Sequence, residues 1–275
     1  MTNENLLNEI KRKRSFLSVG LDIDLNKIPL HLLTMDDPFF SFLKGIVDAT
    51  APFAVAFKPN IAFFETYGVR GWMALEKIMN YINNRYPEMF TIADAKRGDI
   101  GNTSTRYAKA FFETFNFDAI TVNPYMGKDS IEPFLSFENK RTILLGLTSN
   151  KGAKDFQYLV SNGKPHYQHV IESAIQWENN ERLMFVVGAT KVISISKIRN
   201  IIPDAFLLVP GVGAQGGSLQ KVAKYGLNSN CGLLVNSSRG IIYKSKRENF
   251  DVQAAAAAQE LQMEMETLLH QKDII

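Results

Sequence analysis

The residues that could do chemistry concentrate in one stretch, Ile92-Ala93-Asp94-Ala95-Lys96-Arg97-Gly98-Asp99-Ile100-Gly101-Asn102-Thr103. Asp94 and Lys96 stand two apart on an apolar run, so on a strand they share a face. Lys58 closes the preceding apolar run, which a closed parallel sheet sets about 5 Å away in the hydrogen-bonding direction. Asp99 follows in the loop. The expectation is a Lys–Asp–Lys–Asp cluster in a confined mouth, where opposite charges keep both lysines protonated and both carboxylates ionised. Such a site works by preorganised charge alone. A structural ion network capping the sheet has the same spacing.

A second group suggests an anion. Pro210 ends one apolar run and leads into the glycine-rich 211–217 segment, while Arg239 follows the next run. Backbone N–H groups between glycines can approach a ligand closely, Gln215 can donate through its amide, and Arg239 can pair bidentately with a dianion. A glycine-rich run alone is as readily a turn. With Arg239 one strand away, phosphate becomes the favoured reading, because loops after strands seven and eight seat phosphate in many barrels.

Other candidates are weaker. His166 and His169 share a helix face without a third ligand, so a surface pair is expected rather than a metal site. Met263 and Met265 belong to an amphipathic terminal helix. Cys231 precedes the last strand with no base beside it, which suits a buried inert thiol.

These residues need elements to position them. Short apolar runs recur at 16–21, 53–57, 90–93, 119–122, 142–147, 183–187, 205–209 and 232–235. Most are apolar at consecutive positions, as in strands buried on both faces of a parallel sheet. Helical spacing fills the gaps: from Asp37-Pro38, over 69–86, over 107–115, from Pro165, and over an alanine-rich 253–269. Strand starts recur at a mean step of about 31 residues, the size of one βα unit. A doubly wound open sheet has a similar rhythm. The ring of polar residues at strand carboxyl ends (Asp22, Lys58, Asp94, Lys96, Ser149, Pro210, Arg239) converges only if the sheet closes. The expected fold is therefore α/β, a single (β/α)8 TIM barrel over 1–275, with a short N-terminal helix and an Ala-rich C-terminal helix.

Composition narrows the function classes. With 45% apolar and 21% charged residues among 275, a core can be buried. The 31 Lys+Arg against 28 Asp+Glu leave +3, too little for a nucleic-acid or membrane surface. One cysteine excludes an intrachain disulfide and a cysteine-built zinc site. No apolar run approaches the ~18 residues of a membrane span. Lys11-Arg12-Lys13-Arg14 ahead of a short apolar run reads as the cationic last turn of a helix rather than a signal peptide or nuclear-localisation run. A cytoplasmic location is expected. Without a zinc or flavin signature, no cofactor is implied.

Asp-x-Lys-x-x-Asp-Ile-x-x-Thr, as Asp94 to Thr103, resembles the active-site motif of the orotidine 5'-phosphate decarboxylase family. Asp-Ala-Lys-Arg-Gly-Asp-Ile-Gly with Phe57-Lys58-Pro59-Asn60 and Ala62-Phe63-Phe64-Glu65 is similar to its longer bacterial branch. So are Gly20-Leu21-Asp22, Leu147-Thr148-Ser149-Asn150, Pro210-Gly211-Val212-Gly213-Ala214-Gln215-Gly216-Gly217 and Asn236-Ser237-Ser238-Arg239-Gly240. Arg97-Gly98 departs from shorter members, which usually carry apolar or small residues there.

The resemblance implies decarboxylation of orotidine 5'-monophosphate to UMP and CO2. Lys96 would stabilise the C6 carbanion and deliver the proton, with Asp94 near the departing carboxylate. Lys58 and Asp99 would fix Lys96 and contact the ribose hydroxyls. Asp22 would bind ribose, Ser149 the base, and Pro210, Gly213, Gln215 and Arg239 the phosphate end. Asp99, Ile100 and Thr103 would reach into a partner's site in a homodimer with shared active sites. The polar 149–166 segment, with Gly152 and Gly163, is expected to act as a lid alongside the 211–217 run. The runner-up is a Mg²⁺-dependent sugar-phosphate decarboxylase or lyase on the same barrel, which needs a further carboxylate where Lys58 stands. A non-catalytic nucleotide-binding protein and an RNA-binding protein are the other classes. The first has no obvious need for two buried aspartates, and the second lacks a basic stripe with aromatic platforms.

Overall fold

The computed structural model describes residues 1–212 and 216–275. Eight parallel strands close a barrel: β1 (Leu17–Leu21), β2 (Ala56–Pro59), β3 (Phe90–Arg97), β4 (Ala119–Val122), β5 (Arg141–Leu147), β6 (Leu183–Val187), β7 (Leu207–Pro210) and β8 (Leu233–Ser237). Each pairs with the next, and β8 returns to β1 with Leu17 opposite Val235. β1, β2, β4 and β6 are buried along their whole length, which is why they are mostly apolar, with Ser18, Lys58 and Thr121 as the exceptions. The eight expected runs are the eight strands, their bounds shifted by up to three residues at the start.

Helices α1 (Asn3–Lys13), α2 (Pro38–Thr50), α3 (Ile61–Glu65), α4 (Gly68–Arg85) and α5 (Gly101–Lys109) serve the first half of the ring. α6 (Glu132–Leu135), α7 (Ala153–Phe156), α8 (His166–Ala174), α9 (Val192–Ile201), α10 (Leu219–Gly226), α11 (Arg239–Ile242) and α12 (Phe250–His270) serve the second. The Asp37 carboxylate caps α2 by accepting from Phe40 N–H, and Pro38 occupies the first turn. Phe39, Phe42, Leu43, Ile46 and Val47 then form its buried stripe. The alanines of α12 let it lie close to α2, where Phe250 fills the space a side chain at Gly45 would need. Met265 of α12 is buried and Met263 exposed.

Three expectations gain detail. The helix expected over 107–115 begins at Gly101, and its end unwinds into a π-helical turn over Ala110–Thr114 that buries Phe111 and Phe112. The polar 149–166 segment is ordered as α7 and a short hairpin pairing Val160–Ser161 with Lys164–Pro165. Lys11, Arg12 and Lys13 do form the last turn of α1, yet Lys13 does more than balance a dipole. Its ammonium reaches the Ala51 and Ala54 carbonyls at 3.0 and 2.9 Å, and burial pulls it down to about 8. Among the described residues, no helix is long and apolar enough to cross a membrane.

Candidate active site

The centre is an alternating line of charge, Lys58–Asp94–Lys96. Lys58 Nζ lies 2.7 Å from Asp94 Oδ2, and Lys96 Nζ lies 2.5 Å from Asp94 Oδ1. Lys58 is buried, while half of the Lys96 side chain is open to solvent. Burial alone would lower the Lys58 ammonium, but the charges of Asp94 and Asp22 outweigh it and hold the group above its ordinary value. Burial would raise Asp94, and the two lysines instead keep its carboxyl far below the carboxylate range. Asp94 is therefore an anion clamped between two cations.

A regular pleat does not explain how Asp94 and Lys96 meet. Four steps along β3, from Ala93 to Arg97, oppose only two along β4, from Ile120 to Val122. The surplus forms a bulge, and Lys96 within it has φ of +48°. Such left-handed backbone costs a residue with a side chain about 1–2 kcal/mol. The buried Thr121 holds it there. Its hydroxyl accepts from Lys96 N–H at 2.9 Å and donates to Asp94 Oδ1 at 3.2 Å.

Around this line, Asp22, Lys58, Asp94, Pro210 and Arg239 line one cleft of about 170 Å³ with Asn60, Gly211, Val212 and residues 236–238. Asp22 stands one residue past β1. Tyr243 fixes the turn by donating to the Asp22 carbonyl and accepting from Asp24 N–H, both at 2.7 Å. Asp22 Oδ1 and Ser238 Oγ are buried without a partner among the described residues, so the cleft presents polar atoms to a ligand. Gly20 leaves room for Ser238, whose Cβ would stand 2.6 Å from a Cβ at position 20. Arg239 opens α11, is exposed, and makes no ion pair among the described residues. Gly211 and Gly216 take positive φ, and Gly217 N–H returns to the Gly211 carbonyl at 3.2 Å. Gly213 and Gln215 lie outside the described residues.

The remaining candidates stand apart. Ser149 follows β5 and packs against Gly188 after β6, where a Cβ would sit 2.7 Å from the serine's own. Asp99 is half-buried, accepts from Ile100 N–H at 2.7 Å, and pairs with neither lysine. The expected four-membered cluster is thus a three-membered one within this chain. Ile100 and Thr103 are exposed at the start of α5. His169 bonds the Ser161 carbonyl at 2.7 Å, and His166 lines a separate apolar cavity. No group of three His, Cys, Asp or Glu able to hold a metal occurs among the described residues. Burial pushes the Cys231 thiol up to about 12, as an inert thiol requires. Sequence reasoning missed Thr121, whose only signal is one hydroxyl in an apolar strand.

A closed parallel barrel with its charged residues at strand carboxyl ends has the architecture of (β/α)8 enzymes, whose sites lie on that face. Residues 16–255 match the Orotidine 5'-phosphate decarboxylase / HUMPS family, and the chain belongs to it. The orotidine 5'-phosphate decarboxylase of Flavobacterium johnsoniae is 60% identical over 272 residues, covering 99% of this chain and 100% of that protein. That of Bacteroides fragilis is 58% identical over 266 residues, covering 96% and 97%. The solved structure of Leishmania donovani OMP decarboxylase superposes with a TM-score of 0.84 at 36% identity over 98% of each chain.

Proposed function

We propose that this protein decarboxylates orotidine 5'-monophosphate to UMP and CO2. The observation that carries the reading is a cleft lined by Lys58, Asp94 and Arg239, with Lys96 paired to Asp94 at its edge, in a chain of this family. The C6–carboxylate bond breaks, its electron pair stays on C6, and CO2 leaves. The Lys96 ammonium stabilises that pair and gives C6 its proton. Asp94, held ionised, lies beside the departing carboxylate, so its repulsion is relieved as CO2 departs. Lys58 keeps Asp94 charged and in place. Among the described residues, Asp22 has an unpaired oxygen for a ribose hydroxyl, and Arg239 makes no ion pair and is a cation for the phosphate. Phosphate binding, remote from C6, helps to organise the charged site.

Ser149, Pro210, Ile100, Thr103, Gly213 and Gln215 are proposed as further ligand contacts. The reaction needs no metal or cofactor on this reading, and the enzyme works in the cytoplasm. The magnesium alternative requires a carboxylate where the Lys58 ammonium sits against Asp94. We also propose a homodimer in which Asp99 serves the neighbouring site. Asp99 is unpaired with the lysines of its own chain, and Ile100, Tyr125, Met126, Phe156 and Leu159 leave apolar surface exposed. The decisive assay follows loss of orotidine monophosphate absorbance by purified protein in excess chelator. Turnover is expected, and none under those conditions would overturn the assignment.

A further inference from the structure

Arg97 follows Lys96 directly and has no task in the chemistry above. Its Nη1 donates to the Ala95 carbonyl at 3.0 Å, and its Nη2 pairs with Glu65 Oε1. The guanidinium lies over the Tyr107 ring at 5.5 Å and the Phe111 ring at 5.8 Å. The peptide joining Ala95 to Lys96 is thus gripped at both ends, its carbonyl by Arg97 and its N–H by Thr121. That peptide sets the φ of Lys96, which lies at +48°. Glu65 ends α3, the helix that follows the strand carrying Lys58, so the grip also ties the bulge of β3 to α3.

We propose that Arg97 is a positioning residue for Lys96: clamped to Glu65, it holds the Ala95–Lys96 peptide so that the Lys96 ammonium stays aimed at Asp94 and the reacting carbon. This rests on the assignment of proton delivery to Lys96. Arginine suits the task because its planar fork serves two acceptors at once and stacks on aromatic faces; a lysine has one point of charge. The pair could have stabilised the fold from almost anywhere on the surface. Here it grips the one backbone carbonyl that orients the lysine.

The test compares Arg97→Ala, Arg97→Lys and Glu65→Gln with wild type in kcat and KM for orotidine monophosphate, affinity for UMP, and unfolding midpoint. Misplacing a reacting group by an ångström can cost ~100-fold, so Arg97→Ala is expected to lower kcat by about 10- to 100-fold. KM and UMP affinity should stay within roughly threefold, because the phosphate and ribose contacts are untouched. Arg97→Lys should recover part of the loss, and Glu65→Gln should lower the same parameter more mildly. A folded Arg97→Ala with kcat within about twofold of wild type overturns the proposal, as does a loss mirrored in UMP affinity. If Arg97→Ala does not fold, Glu65→Gln decides, and an unchanged kcat there overturns it. Wild-type turnover by Lys96→Ala would instead remove the proton-delivery assignment, and with it the task of Arg97.

Discussion

Lys96 combines a left-handed backbone with an ammonium held against a partly buried anion. Lys96→Ala is expected to reduce turnover to near the detection limit while UMP still binds, since the side chain serves the transition state more than the ground state. Calorimetry beside a decarboxylation assay checks both halves. Activity within about tenfold of wild type would place the proton source elsewhere. Arg239→Ala should cost on the order of 2–5 kcal/mol in kcat/KM for orotidine monophosphate and little for orotidine, which has no phosphate to lose. Equal losses with both substrates would make Arg239 a fold residue. Asp94→Asn leaves Lys58 buried without its partner, a change that costs roughly 3–5 kcal/mol of stability. The Asp94 carboxyl titrates lower in the folded chain than its ordinary 3.8. The stability it confers is thus complete above that value and drains as pH falls below it toward the folded one. Denaturant midpoints of wild type and variant should converge on acidification, and a gap that widened would contradict the sign. Lys58, Asp94 and Lys96 were legible because charge two apart in an apolar strand is hard to place otherwise. The bulge beneath them was not, since it depends on a hydroxyl from β4 and a clamp from α3.

The strands were the most legible elements, their consecutive apolar residues following from burial on both faces. α9 and α10 escaped the sequence reading for a physical reason. α9 opens Val192-Ile193-Ser194-Ile195, a β-branched run with weak helical preference, and buries only Ile195 and Ile198. What holds it is a tertiary staple. The Arg199 guanidinium donates to the carbonyls of Ile202, Pro203, Ala205, Gly226 and Gly232, tying the ends of α9 and α10 to the start of β8. Burial draws this guanidinium down to about 10. Arg199→Met orphans several carbonyls together and should lower the unfolding free energy by on the order of 3 kcal/mol or more. Because the staple lies at the opposite end of the barrel from Asp94, kcat should hardly change. Urea unfolding and steady-state kinetics read the two effects separately, and a substantial fall in kcat would show that the two ends are coupled.

For the whole molecule, the proposed sharing of sites is testable without a structure of the pair. Homodimers of Lys96→Ala and of Asp99→Ala should each be poorly active. In a mixed dimer one site collects both lesions, and the other keeps an intact Lys96 with an intact Asp99 from its neighbour. Random exchange at equal amounts makes about half the dimers mixed, so roughly a quarter of wild-type activity should return under twofold pairing. Confirmed exchange by mass spectrometry with no recovered activity would assign Asp99 to its own subunit. The sequence made this arrangement legible only through its resemblance to the family, because composition and periodicity say nothing about which chain a loop serves.

The seam where β1 meets β8 has a consequence for how the protein is made. Ser18 bonds Asn236 across it, 218 residues away along the chain. Until β8 has left the ribosome, β1 has an unpaired edge, the kind of edge on which foreign strands add. Closing so long a loop is entropically slow, so the nascent chain is most exposed to aggregation just before β8 docks. Asp22 and Arg239 lie on either side of that seam and meet only when it shuts. A nucleotide touching both would bind the closed ring alone and act as a staple across the last join.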